Sequence, residues 1–96
     1  MDIKRGAIVE FNLKGQTKEG VIFNRESLYH KNICLIIPFD EEISEYSVSI
    51  NGKNLDCRGI LTIDIKQIKN INGEVTSEAM DKITSMINRQ FAFKFK

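Results

Sequence analysis

The sequence holds two cysteines, one histidine, one proline and no tryptophan in its 96 residues. Cys34 and Cys57 fall in apolar segments with no CxxC or Cys/His spacing. That pattern argues against a zinc site and a disulfide framework and predicts two buried thiols. Charge of one sign is lacking too: 14 Lys and Arg against 13 Asp and Glu give a formal net charge of +1. There is then no global basic field, and a polyanion would have to meet a local patch. No run approaches the ~20 apolar residues of a membrane-spanning helix, and the opening Met1-Asp2-Ile3-Lys4-Arg5-Gly6 has no apolar signal core. The expectation is a cytoplasmic chain that uses no membrane.

What is present is an ordinary globular composition, 42% hydrophobic and 28% charged, enough for one domain over residues 1–96. A chain of this size buries roughly 65% of its unfolded surface, so one modest core is available without staples. Ala7 to Leu13 alternates, with Val9, Phe11 and Leu13 against Glu10 and Asn12, as a half-buried strand does. Residues 14–20 read as a polar loop, and Val21 to Phe23 as a second strand. Ile33-Cys34-Leu35-Ile36-Ile37 is a continuous apolar run stopped by Pro38, which predicts a central strand covered on both faces. Phe39-Asp40-Glu41-Glu42 then reads as an acidic turn.

Tyr46, Val48 and Ile50 alternate with Ser47 and Ser49, and Asn51-Gly52 is a strong hairpin signal. Leu55 to Ile65 is apolar-rich and broken at Arg58-Gly59. Ile65, Ile68 and Ile71 suit either a bent strand or a short helical turn. One amphipathic helix follows, with Thr76 as N-cap and Ala79, Ile83, Met86, Ile87 and Gln90 on one face. Such a helix needs packing to hold, so a bent sheet of about five strands with the helix laid across it is expected. Phe91, Phe93 and Phe95 either close the core or offer a groove or edge to a partner.

Four strings in this order resemble the MazF/PemK toxin family: Lys4-Arg5-Gly6-Ala7-Ile8-Val9, Ile36-Ile37-Pro38, Gly59-Ile60-Leu61 before an aspartate, and Val75-Thr76-Ser77-Glu78-Ala79-Met80. The resemblance spans nearly the whole chain. It implies a mainly β (α+β) fold, a small SH3-like β-barrel with a C-terminal helix. It also implies the toxin of a type II toxin–antitoxin module, a homodimer silenced by a cognate antitoxin, which cuts single-stranded RNA without metal or cofactor. The chemistry implied is attack by a ribose 2′-hydroxyl on its own phosphate, with a base, an acid and donors for the phosphorane charge. DNA is excluded as substrate because it lacks that hydroxyl.

The chain departs from the family where that chemistry would sit. Lys18 and Glu19 stand at the usual Arg-Pro pair. Asp40 replaces the hydroxyl of a Pro-x-Thr string, where a carboxylate repels phosphate unless protonated. In Thr62-Ile63-Asp64-Ile65-Lys66-Gln67, Asp64 matches the aspartate of an Asp-Gln-x-Arg string, Thr62 replaces an arginine used by some members, and Gln67 holds the later arginine position. A one-residue offset is also compatible and would move Asp64 to the other strand face. Thr62-Ile63-Asp64 resembles CcdB-type toxins equally, relatives that poison DNA gyrase by binding.

The candidate catalytic residues are therefore Lys18, Asp40, Thr62 and Asp64. His30, the one histidine, is the natural acid or base near neutral pH, or else a solvated loop residue. Lys14, Lys18, Arg25, Lys31 and Arg58 either form a local basic groove or are scattered solubility charges, with Tyr29 or Phe39 available to stack a base. Gln67 completes the candidate RNA contacts. No metal site is expected. The alternative to cleavage is a barrel of the same fold that acts by binding, on a topoisomerase such as gyrase or as an accessory protein.

Overall fold

The computed structural model describes residues 3–24 and 32–94. The alternation around Val9 and Phe11 forms β1 (Ala7–Leu13). Lys14 and Gly15, at φ of 51° and 82°, close a two-residue turn whose positive φ values suit the twist of a tight hairpin. β2 (Gln16–Ile22) starts directly after it and pairs from Leu13↔Gln16 to Ile8↔Val21. This corrects two expectations, the polar loop over residues 14–20 and the strand from Val21 to Phe23. Gln16, Thr17 and Lys18 are all exposed at the hairpin tip, so they lack apolar alternation although they belong to the ladder.

β3 (Ile33–Asp40) runs through Pro38, so neither the expected stop at Pro38 nor the expected turn at Phe39-Asp40 is observed. The strand continues because it changes partner. Its residues Ile36 to Pro38 pair with β2, while Phe39 and Asp40 pair with β5 (Lys53–Asp56). Pro38, with no N–H to donate, stands opposite Gly20 where the β2 pairing ends. The two backbones nearly touch here: a Cβ on Gly20 would lie 2.6 Å from both the Ile37 carbonyl oxygen and Ile36 Cγ2. The first half of β3, Ile33 to Ile36, pairs with β6 (Leu61–Asp64).

β4 (Ser47–Ile50) joins β5 through Asn51-Gly52, both at positive φ, as the hairpin signal predicts. After β6 the isoleucine spacing resolves into both of its readings in succession, a 3-10 turn over Ile65–Gln67 and then β7 (Ile68–Glu74) along β1. The strand order is β4-β5-β3-β2-β1-β7, with β6 also on β3. The described residues thus form seven strands rather than five. The sheet bends like a small barrel, but β4 and β7 end the path without joining, and the ring stays open.

The central strands are buried on both faces, and period-2 alternation sorts their side chains between two cores. Val9, Phe11, Ile22, Cys34 and Ile36 point inward with Ile63 and Ile68. Ile8, Val21 and Ile37 point the other way and meet Val48, Ile50, Leu55, Ile83 and Ile87. The last two come from α1 (Ser77–Lys94), which is longer than a sequence reading of about 14 residues suggests. Thr76 caps it, accepting the Ala79 N–H at 3.1 Å. Gln90 Nε2 donates to the Cys57 carbonyl at 2.8 Å, and Arg5 spans from the Phe23 carbonyl (3.1 Å) to Thr84 Oγ1 (2.9 Å). Cys34 and Cys57 are free buried thiols, and burial raises each to about 11, so both serve as apolar packing. The side chains of Phe91 and Phe93, and all of Phe95, lie outside the described residues.

Gly20→Ala is expected to destabilise the protein by about 2–3 kcal/mol, because its methyl meets a backbone carbonyl that cannot step aside. Gly59→Ala, with nothing within 4 Å of the new methyl, should stay within about 0.5 kcal/mol of the parent. Urea unfolding of the two variants makes the comparison, and equal effects would contradict this account of the strand crossing.

Candidate functional site

The 3-10 turn organises the polar residues at the end of β6. Asp64 is its N-cap: Oδ1 accepts the Lys66 N–H at 2.9 Å, and the Asp64 N–H donates to Gln67 Oε1 at 2.8 Å. These reciprocal bonds form a capping box. The other end of the Gln67 amide donates to the Asn12 carbonyl at 2.9 Å and ties the turn to the tip of the β1–β2 hairpin. Between turn and tip lies a cleft of about 250 Å³ lined by Asn12, Lys14, Gly15, Lys66, Gln67 and Lys69. Lys69 Nζ donates to Thr17 Oγ1 at 3.1 Å.

Two residues before Asp64, Thr62 shares the exposed face of β6, while Ile63 between them is buried. Lys18 leaves the hairpin on the face opposite Thr17, opposite Phe11 in the ladder. Its side chain is exposed, near the tip but not lining the cleft.

Asp40 belongs to a different neighbourhood. Asp64 pairs with Ile33 at the start of β3, and Asp40 ends the strand, so seven residue steps separate them, on the order of 20 Å. Asp40 Oδ1 accepts the Glu42 N–H at 3.0 Å and lines a shallow cavity of about 440 Å³ with Phe39, Glu41, Gly52, Lys53 and Asn54. Lys53 Nζ binds Glu19 Oε1 at 2.6 Å and stands 5.7 Å from the centre of the Phe39 ring. Asn72 Nδ2 donates to Glu19 Oε2 at 2.9 Å. The hydrogen bonds from Lys53 and Asn72 hold the Glu19 carboxyl below its ordinary range. The pair of positions that resembles Arg-Pro thus carries an ionised carboxylate already engaged by a lysine.

Arg58 is apart from both groups. Its Nε and Nη2 grip the nearly buried Asp56 at 3.0 Å each, and this bond draws the Asp56 carboxyl down. Arg58 also feels Asp40 and Glu42, so its surroundings are acidic. The structure therefore brings together Lys14, Gln67 and Asp64, leaves Thr62 on the adjoining strand face, and separates Asp40 and Arg58 from them. Arg25, Tyr29, His30 and Lys31 lie outside the described residues. Sequence pattern does not single out Lys66, Lys69, Lys53 or Asn72. The helical option at Ile65 and Ile68 is the one signal that could have exposed Lys66 and Lys69, since a turn places both beside Gln67.

Among the described residues no three His, Cys, Asp or Glu side chains converge as a metal site. No described helix is long and apolar enough to cross a membrane. No family model and no curated protein sequence matches the chain. Solved structures do. An endoribonuclease in complex with its cognate antitoxin, from a mycobacterial species, superposes with a TM-score of 0.85 over 95% of this chain and 96% of its own, at 16% identity. The MazE-MazF complex from Deinococcus radiodurans superposes at 0.82 over 95% and 96%, with 8% identity. The chain has the MazF fold. The Mycobacterium tuberculosis toxin MazF-mt6 agrees at 0.76 over 90% and 96%, with 16% identity. The MazF fold covers the chain nearly end to end, whereas identities this low leave the side-chain chemistry to be read from the residues themselves.

Glu19 and Asp56 are both held low, so the stability they add is complete above the ordinary carboxylate range and is lost as pH falls through their lowered folded-state values. The double variant Glu19→Gln/Asp56→Asn should lose about 1 kcal/mol at neutral pH, discounted for partial exposure, and decline less steeply on acidification. Urea unfolding between neutral pH and about pH 3 measures both; parallel acid limbs would contradict the assignment.

Proposed function

We propose that this chain is the toxin of a toxin–antitoxin pair, an endoribonuclease that cuts single-stranded RNA by transesterification and needs no metal. The observation that carries the reading is the end-to-end match to endoribonucleases of the MazF fold, two of them in complexes with their antitoxins. The site supports it, because a carboxylate, a neighbouring hydroxyl and several cations gather at the end of β6 and the β1–β2 tip. In the proposed reaction Asp64 takes the 2′-hydroxyl proton as the 2′-oxygen attacks phosphorus. The bond from phosphorus to the 5′-oxygen breaks, and that oxygen takes a proton from water as it leaves, with Asp64 returning its proton to the solvent, giving a 2′,3′-cyclic phosphate and a 5′-hydroxyl. Thr62 meets a phosphorane oxygen as a neutral donor. Asp40 stands too far from Asp64 to share this step. The protein acts as a homodimer in the cytoplasm, and a cognate antitoxin silences it.

One observation favours the second reading, a barrel that acts by binding alone. The position that resembles Arg-Pro holds the Glu19–Lys53 ion pair, and the end of β3 holds Asp40 in place of a hydroxyl, so this surface repels phosphate.

The test uses purified protein and a long mixed-sequence RNA in EDTA. Cutting is expected, and a strand with a single 2′-deoxy ribose at the cut site should bind and stay whole. Asp64→Asn separates its two roles, because asparagine still caps the turn but is no base. A fall of about 10²-fold or more in kcat with an unchanged Tm is expected. Absence of cutting supports the binding module instead, and cutting that survives 2′-deoxy substitution refutes transesterification.

A further inference from the structure

The cleft between the hairpin tip and the 3-10 turn has features that the cleavage chemistry does not use. Three elements each bring one lysine to it: Lys14 from the β1–β2 turn, Lys66 from the 3-10 turn and Lys69 from the start of β7. Among the described residues none of the three makes an ion pair, although Lys4, Lys53 and Arg58 all do. Glu10 and Glu19 on the neighbouring strands turn their carboxylates to Asn72. Asp64, the cap of the 3-10 turn, turns an oxygen to the Lys66 backbone N–H, and no acid is among the described residues that line the cleft.

Like charges held together without counter-charges cost stability, and flexible lysines on a loose surface would spread apart. Here the frame prevents that. Gln67 locks the turn to Asn12, the capping box locks the turn to β6, and Lys69 is anchored on Thr17. At about 250 Å³ the cleft is smaller than the usual pocket for a drug-sized ligand or cofactor. Its lining supplies ammonium groups and amide edges but no aromatic wall, which suits phosphate groups rather than bases.

The geometry points to a phosphate-binding subsite carried by Lys14, Lys66 and Lys69, which anchors the sugar–phosphate backbone of a single-stranded RNA beside Asp64. The inference rests on the ribonuclease reading for the identity of the strand, and on the lysine frame alone for the anion. Because ammonium groups do not read the 2′-hydroxyl, the subsite holds a DNA strand as well as an RNA strand. Affinity then comes from here and discrimination against DNA from the reaction itself.

The test measures fluorescence anisotropy of a short labelled all-2′-deoxy strand, which cannot be cut, over a series of salt concentrations. Each phosphate contact on a single strand contributes about 0.7 to the slope of log affinity against log salt. Lys66→Gln/Lys69→Gln should therefore lower the slope by about 1.4 and weaken binding roughly tenfold at low salt. Lys82→Gln, on the exposed face of α1, should leave the slope unchanged. An unaltered slope in the double variant, an equal loss in Lys82→Gln, or no binding by the parent protein would overturn the subsite. A parent that binds with the lysine-dependent slope but cuts no RNA keeps the subsite and refutes the ribonuclease reading. A parent that cuts while the double variant binds equally well does the reverse.

Discussion

At Gly20 the backbone of β2 runs against β3 with no room for a methyl group, and much of the molecule depends on that approach. A Cβ there would sit 2.6 Å from the Ile37 carbonyl oxygen. The close crossing lets β3 pair with β6 from Ile33 to Ile36, with β2 from Ile36 to Pro38, and with β5 beyond Pro38. One strand thereby belongs to both halves of the bent sheet, and its side chains alternate between two cores, with Ile36 inward and Ile37 toward the helix. The β4–β5 hairpin carries Lys53 to Glu19, so the acidic neighbourhood at the end of β3 follows from the same crossing.

The polar surface sorts into two ends of opposite character. Toward the end of β3, Glu19, Asp40, Glu41 and Glu42 make the surface acidic, while Lys53 is consumed by Glu19 and the more distant Arg58 by Asp56. At the hairpin tip, Lys14, Lys66 and Lys69 keep their charges open. A net charge of +1 conceals this division, because the two ends nearly cancel. A polyanion meets attraction at one end and repulsion at the other, so the strand's course over the protein follows from where the carboxylates are already engaged. In the proposed subsite the work of holding phosphate falls to the tip and the turn rather than to the position that resembles Arg-Pro.

Much of the fold was legible in the sequence because hydrophobic period and turn chemistry agree in most segments. Asn51-Gly52 specifies its hairpin, Thr76 its helix start, and the Ile33 to Ile37 run its strand, buried on both faces at Cys34, Ile36 and Ile37 but exposed at Ile33. The β1–β2 hairpin was not legible, because Lys14-Gly15 carries the turn while Gln16 to Lys18 remain polar on both faces. Pro38 misled for a related reason: it ends one pairing, not the strand. At the site, Asp64 and Gln67 could be picked from a string but their joint task could not, since the capping box and the bond to Asn12 exist only once β6 and β1 meet. Lys66 and Lys69 gain meaning only from that meeting. Asp40, chosen by position after Pro38, was displaced by the length of a strand that did not stop.

The central claim is that RNA is cut by its own 2′-oxygen on this surface. Mass spectrometry of the fragments from a defined single-stranded RNA tests it most directly, because the ends record which oxygen attacked. The account predicts 2′,3′-cyclic phosphate on the upstream fragment and a 5′-hydroxyl on the downstream one. A 3′-hydroxyl with a 5′-phosphate would mean that water or a metal-bound hydroxide was the nucleophile, and would contradict it.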